Sequence, residues 1–189
     1  MSDGNTSTAA QYWEPVWRSG RRYRTIDDQE AAVLRRQVGQ GAGRPALDIG
    51  CGLGELAARV HRLGYRVTAV DCAPTAVAGA RLRHPELDVR QLDFSAGDPA
   101  GLLPHHAYAL ITCRLVFRWM PDKPAFLARV RALLAPGGVF WVGTSIHDPS
   151  HGEPHPWQLT PGETELLTAD WSRVDTEDLD GYHCLALRP

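Results

Sequence analysis

The chain has few of the features that mark a secreted, membrane-bound or nucleic-acid-binding protein. Its four cysteines are scattered and form no C-x-x-C pair, so neither a disulfide framework nor a cysteine zinc site is expected. No apolar run approaches the roughly 18 residues of a membrane helix. A net charge of −2 leaves no basic excess for a polyphosphate backbone. We therefore expect a cytoplasmic protein that acts on a small molecule, with no nucleic-acid or membrane partner.

The 189 residues, 43% of them hydrophobic, suffice for one domain with a buried core. Residues 1–10 are small and polar, which predicts a disordered tail without the apolar stretch of a signal peptide. Residues 11–40 hold an aromatic and basic segment followed by a predicted helix over 28–39, and Asp27 with Glu30 has the spacing of a capping box at its start. Residues 41–189 are expected to form the main domain.

From residue 46 the hydrophobic pattern alternates between short strands and helices. Strands are predicted over 46–49, 66–70, 87–92, 108–112, 139–142, 171–174 and 182–187, and helices over 55–63, 74–83 and 122–134. Thr160 and Glu163 have the spacing of a capping box, which predicts a further short helix there. Residues 135–138 are predicted to form a tight turn before the fifth strand. The alternation predicts βαβ units in an α/β three-layer sandwich. Its seven-stranded sheet should be mostly parallel, with the last strand antiparallel.

A glycine-rich segment lies where the first predicted strand turns into a helix. In LDIGCGLGELA, at 47–57, the glycines permit a tight turn and a close approach of the backbone to a ligand. Asp71 follows at the end of the next strand, where a carboxylate can accept hydrogen bonds from ribose hydroxyls. The spacing Gly52-x-Gly54-x-x-Ala57 also fits the dinucleotide pattern of nicotinamide oxidoreductases. No second catalytic domain follows, which weighs against that alternative.

With these residues in view, the chain resembles the class I S-adenosylmethionine-dependent methyltransferases. Four segments carry the resemblance in the family's order, LDIGCGLGELA at 47–57, VTAVDCAPTAVAGAR at 67–81, RQLDF at 90–94 and LITCRLVFRWMPDKPAFLARVRALLAPGGVFWV at 110–142. The resemblance is strong over residues 45–143. It implies a Rossmann-like fold, S-adenosylmethionine as cofactor and in-line methyl transfer to a small-molecule acceptor. The alternative from another class is a non-catalytic S-adenosylmethionine-binding scaffold or regulatory subunit.

The resemblance also implies the residues of the cofactor site. Asp48, with the backbone of Gly50 and Gly52, would hold the methionine end. Asp71 would hold the ribose hydroxyls, and Asp93 would accept a hydrogen bond from the adenine amino group. The full expected set is Asp48, Gly50, Cys51, Gly52, Gly54, Asp71, Cys72, Asp93, Phe94, Cys113 and Arg114.

The acceptor side is expected to combine a lid with the segment after the fourth strand. In similar enzymes a leading segment folds over the cofactor and excludes water. The expected substrate-binding residues are Tyr12, Trp13, Trp17, Phe117 and Arg118. Arg118 stands where many related enzymes carry His or Gln, and it would either bind an acidic acceptor or face solvent.

A general base is needed only when the acceptor must lose a proton. His147 follows the fifth strand at the ligand-binding end of the sheet, and it is the expected catalytic base. The alternative for His147 is an ordinary histidine of a polar loop. His151 and His155 follow nearby, but the prolines of this loop prevent a regular helical metal site, and no metal is expected.

Overall fold

The sheet of the computed structural model contains seven strands in the order β3-β2-β1-β4-β5-β7-β6. The structure describes residues 8–21, 23–96 and 99–189. The strands are β1 (Pro45–Ile49), β2 (Arg66–Asp71), β3 (Asp88–Gln91), β4 (Tyr108–Arg114), β5 (Leu134–Ser145), β6 (Arg173–Asp178) and β7 (Tyr182–Arg188). β1 to β5 pair in parallel, and β7 pairs antiparallel with both β5 and β6. The predicted fold class, including the antiparallel last strand, is confirmed.

The described part of the chain contains six helices, and all but the first contribute side chains to the apolar clusters on the two faces of the sheet. They are α1 (Thr8–Arg18), α2 (Asp28–Val38), α3 (Glu55–Arg62), α4 (Pro74–Arg83), α5 (Lys123–Leu133) and α6 (Pro161–Thr168). Because successive side chains of a strand point to opposite faces, β1 contributes to two apolar clusters. Ala46 packs in the cluster that contains α2 and α3 residues. Leu47 and Ile49 pack in the cluster of α5 and α6.

Three local predictions need correction. Residues 135–138, predicted as a tight turn, are incorporated into β5, and the register of its pairing with β4 shifts there. Residues 8–10 of the predicted disordered tail begin α1, whereas residues 1–7 lie outside the described residues. Asp27 accepts a hydrogen bond from the Glu30 N–H at 2.8 Å, but the Glu30 side chain turns into the core instead of completing a capping box. In each case contacts with distant parts of the chain, which local sequence patterns do not show, determine the observed structure.

Candidate active site

A cavity of about 670 Å³ opens at the carboxyl ends of β1, β2 and β4, beneath α1. Its lining includes nine of the eleven expected cofactor residues, Asp48, Gly50, Cys51, Gly52, Asp71, Cys72, Asp93, Phe94 and Arg114. Of the expected substrate residues, Tyr12, Trp13 and Trp17 line it. A smaller depression of about 290 Å³ between α2 and α3 contains none of these residues. The strand ends and the aromatic segment therefore meet in one place, as parallel α/β sheets require of a ligand site.

Asp48 is buried under the glycine loop, and one of its two carboxylate oxygens accepts no hydrogen bond from the described residues. The Thr112 hydroxyl donates to Oδ1 at 2.7 Å, whereas Oδ2 is buried and has no hydrogen-bond partner among the described residues. Burial raises the pKa of Asp48 to about 7, against the opposing effects of the Thr112 hydrogen bond and the Arg114 charge. A buried, unsatisfied carboxylate oxygen is costly, and a ligand ammonium group would satisfy it.

Asp48→Asn should make the stability of the cofactor-free protein less dependent on pH. Because burial raises the pKa of Asp48 from 3.8 to about 7, the folded state holds this proton more tightly than the unfolded chain does. The resulting stability is complete below about pH 4 and is lost as the pH rises through about 7. Between these limits, the free energy of unfolding of the wild type should fall by on the order of a few kcal/mol relative to the variant.

Urea denaturation across this pH range measures the difference. Asp28→Asn serves as the control, since the Asp28 side chain is almost fully exposed. If the wild type and Asp48→Asn gave parallel pH profiles, the buried carboxylate would not be the group that titrates.

Asp71 ties the glycine loop to the start of α4. Its Oδ2 accepts the Gly52 N–H at 2.9 Å, and its Oδ1 accepts the Ala73 N–H at 2.9 Å. Burial raises the pKa of Asp71, while these backbone hydrogen bonds oppose the rise. Gly52 has φ +54°, and a Cβ placed there would lie 3.0 Å from the Trp17 ring. The loop therefore needs glycine both for its left-handed backbone and for the ring that covers it.

Asp93 and Phe94 follow β3 at the same edge of the sheet. Asp93 Oδ1 accepts hydrogen bonds from the Ser95 N–H at 2.8 Å and the Ser95 hydroxyl at 2.6 Å. Its Oδ2 is buried without a partner in the described structure. The Phe94 ring packs edge-on against Phe126 with centroids 5.5 Å apart. Asp93 thus has the same combination of one fixed and one unused oxygen as Asp48.

Arg114 lines the cavity but is already bound to protein groups. Its Nε and a terminal nitrogen donate to the two carboxylate oxygens of Glu30 at 2.7 and 2.9 Å. The Tyr182 hydroxyl also donates to Glu30, at 2.8 Å. The guanidinium further donates to the backbone carbonyls of Arg24 and Thr25 at 2.8 and 3.3 Å. Arg114 therefore anchors the segment between α1 and α2, a role that was not predicted, and Glu30 and Tyr182 were missed.

The rings of α1 and its surroundings form a continuous aromatic wall, defined by Tyr12, Trp13, Trp17, Tyr23 and Trp119. Neighbouring rings have centroids 5.0 to 5.9 Å apart, mostly edge to face, and Tyr12 stacks on Trp119. Such contacts add to the energy of burial. All five rings line the cavity.

Glu14 fixes α1 against the start of α4. Its carboxylate accepts the Thr75 hydroxyl at 2.6 Å and the Thr75 N–H at 3.0 Å. The N-cap residue of α4, Ala73, offers no side-chain hydrogen bond, so Glu14 supplies from another helix what an N-cap side chain normally supplies. Burial would raise the pKa of Glu14, but the Thr75 hydrogen bonds and the neighbouring Arg18 together outweigh it and the pKa is lowered.

Five expected site residues do not line the cavity, and each has a structural reason. Gly54 is the left-handed N-cap of α3. The side chains of Cys113 and Phe117 are fully buried in the α5 and α6 cluster. Arg118 donates to Glu163 at 2.7 Å and to the Pro156 carbonyl at 3.1 Å, so it fastens a loop instead of facing an acceptor. His147 is half-buried, and its backbone N–H donates to the Leu159 carbonyl at 2.9 Å.

The loop after β5 contributes to the cavity through other residues than His147. Ser145, Pro156 and Trp157 line it, and the His155 ring stacks on Trp157 at 4.5 Å. Within residues 8–21, 23–96 and 99–189, no group of three or more His, Cys, Asp and Glu side chains could hold a metal ion. The four cysteines are unpaired. No helix among the described residues has the length and apolarity needed to span a membrane, and the cytoplasmic location stays a prediction.

Comparison with known proteins places this site within a described sequence family. A family model described as a methyltransferase domain matches residues 47–140. The ubiquinone biosynthesis O-methyltransferase of Paramagnetospirillum magneticum is 31% identical over 150 residues, which cover 74% of this chain and 59% of that protein. The trans-aconitate 2-methyltransferase of Methylobacterium radiotolerans is 33% identical over 146 residues, 74% of this chain and 52% of that protein.

The chain spans about half the length of the curated relatives it matches. Among solved structures, the DhpI–SAM–HEP complex has a TM-score of 0.75 and 20% identity, with all of both chains covered. At that identity the likeness shows a shared fold. The family match contains Asp48, Asp71 and Asp93, whereas α1 precedes it.

Proposed function

The chain belongs to the class I S-adenosylmethionine-dependent methyltransferases, and from this premise we propose that it transfers the cofactor's methyl group to a small-molecule acceptor. One observation carries the proposal. A single cavity joins three strand-end aspartates, which suit the cofactor, to the aromatic wall, which suits a ring or another apolar part of an acceptor. The two relatives named above methylate small molecules according to their names, which supports the same class of acceptor here.

The residues present fit S-adenosylmethionine. The unpartnered Oδ2 of Asp48 is suited to an ammonium group, and the unpartnered Oδ2 of Asp93 to an amino group. Asp71 keeps acceptor capacity for ribose hydroxyls beyond its two backbone hydrogen bonds. When bound, the cofactor supplies a methyl group already activated by its sulfonium.

The protein's own contribution is then positioning and exclusion of water. Gly50 and Gly52 bring the backbone close to the cofactor, and the Trp17 ring covers the glycine loop. We propose that α1 is the lid of this site, held closed by Glu14 on Thr75 and by Arg114 on the carbonyls of Arg24 and Thr25. The acceptor would enter past Trp119 and Trp157.

Calorimetric titration of the cofactor-free full chain with S-adenosylmethionine, S-adenosylhomocysteine and NAD tests the proposal. We expect micromolar binding of the two sulfur compounds and none of NAD. Binding of NAD alone would support the oxidoreductase alternative instead. Binding of S-adenosylmethionine without methyl transfer to any acceptor would favour the non-catalytic scaffold.

A further inference from the structure

The acceptor end of the cavity exposes an unusual amount of flat aromatic surface. Tyr12 and Trp157 are each 54% exposed, and Tyr23 and Trp119 are more than a third exposed. Contiguous exposed apolar surface on a soluble protein usually marks a binding site. Because the rings lie at one cavity mouth in stacked and edge-on pairs, they are suited to a flat, ring-containing partner.

Three arginines accompany these rings in the cavity lining, Arg21, Arg24 and Arg114. Arg24 lies over the Tyr182 ring, 4.1 Å from its centroid, and pairs with Asp27 at 3.3 Å. Arg21 is exposed, lines the cavity together with Tyr23, and forms no ion pair within the described residues. Arg114 differs, since Glu30 neutralises it. Among the described arginines of the lining, Arg21 is therefore the one without an ion pair, and its planar guanidinium matches a carboxylate or phosphate.

We propose that the acceptor is a flat aromatic acid whose ring packs against the aromatic wall and whose oxyanion is bound by Arg21. The inference rests on the proposed function and names the substrate class of the same site. Arg21 lies outside the motifs of the glycine loop and strand ends, and the proposal assigns it a role in acceptor specificity.

The chemistry of such an acceptor agrees with the rest of the site. One oxyanion oxygen forms a bond to the methyl carbon as the carbon–sulfur bond breaks, and sulfur keeps that electron pair. No proton moves, so no base is required, in agreement with His147 lying outside the cavity lining. The negative oxyanion and the positive sulfonium both become neutral, a change that a closed site with little water favours.

Binding of three small probes to the protein saturated with S-adenosylhomocysteine tests charge and planarity separately. Phenylacetate carries both features, phenylacetamide lacks the charge, and cyclohexylacetate lacks the flat ring. The tryptophans of the wall provide a fluorescence signal for each titration. We expect phenylacetate to bind about tenfold or more tightly than either comparison compound, the size of one charge-assisted hydrogen bond or one good ring contact.

Arg21→Gln should remove most of the preference for phenylacetate over phenylacetamide while leaving the amide's affinity within about twofold. Arg173→Gln makes the same change of charge at an exposed position of β6, outside the cavity lining, and should leave the preference unchanged. Equal affinity for acid and amide, no detectable binding of phenylacetate at millimolar concentration, or an undiminished preference in Arg21→Gln would each overturn the inference.

The product gives a second, independent readout. With methyl-labelled S-adenosylmethionine and phenylacetate, the label should become volatile after mild alkali, because a methyl ester is hydrolysed to methanol. Label that resists alkali, or no labelled product, would overturn methylation at the oxyanion. Absence of S-adenosylhomocysteine binding would instead overturn the proposed function, so the two failures are distinguishable.

Discussion

Asp71→Asn should weaken binding of S-adenosylmethionine by about 100-fold, or nearly 3 kcal/mol. An asparagine offers one oxygen where the carboxylate offers two, and its amide hydrogens would point at a backbone N–H of Gly52 or Ala73. The substitution therefore disturbs the glycine loop and also removes the negative charge proposed to accept from ribose hydroxyls. Hydrogen bonds to charged groups contribute roughly 1.5–3 kcal/mol each. Calorimetric titration with S-adenosylhomocysteine measures the loss without interference from turnover.

The matched control for this substitution is Asp88→Asn. Asp88 is the first residue of β3, so it lies at the amino ends of the parallel strands, away from the cavity, and it is exposed there. Its substitution should leave cofactor affinity within about twofold. Thermal denaturation of both variants with and without ligand separates a folding defect from a binding defect. Unchanged affinity in a folded Asp71→Asn would remove the proposed ribose contact.

The order of helices and strands could be predicted from the sequence because the signals are local. The boundaries of α4 match the prediction, since Pro74 begins the helix and the pattern of small apolar residues continues to Arg83. The capping box of Thr160 and Glu163 is present as predicted. β5 was predicted too short, because Pro136 and the glycines after it indicate a turn and the pairing with β4 that extends the strand is not local.

The cofactor side of the site was more predictable than the acceptor side for the same reason. Asp48 and Asp71 lie at the carboxyl ends of β1 and β2, and Asp93 follows β3, so their place beside the ligand-binding end of the sheet depends on sequence order alone. Whether Phe117 and Arg118 face the cavity depends on the orientation of the short helical turn after β4, and sequence spacing does not indicate that orientation. Trp157 lines the cavity because the loop after β5 folds back, and only its aromatic character in a polar loop could have indicated it.

Glu30→Ala should lower the free energy of unfolding by about 3–5 kcal/mol, the usual cost of removing one partner of a buried ion pair. Glu30 is fully buried, and its carboxylate accepts from Arg114 and from the Tyr182 hydroxyl. Its removal leaves the Arg114 guanidinium without its counter-charge and the Tyr182 hydroxyl without its acceptor. Urea denaturation of the cofactor-free protein measures the change.

Glu177→Ala provides the contrast, because its pair with Arg36 lies on the surface and should contribute less than about 1 kcal/mol. A similarly small effect for Glu30→Ala would mean that the buried network is not structural. The partners of Glu30 lie 84 and 152 residues away in the chain, which explains why its spacing from Asp27 suggested only a helix cap. Arg114 also donates to the backbone carbonyls of residues 24 and 25. Without Glu30, a less firmly held Arg114 should loosen the segment that carries Arg21 and the lid. Cofactor affinity should therefore fall in Glu30→Ala but not in Glu177→Ala.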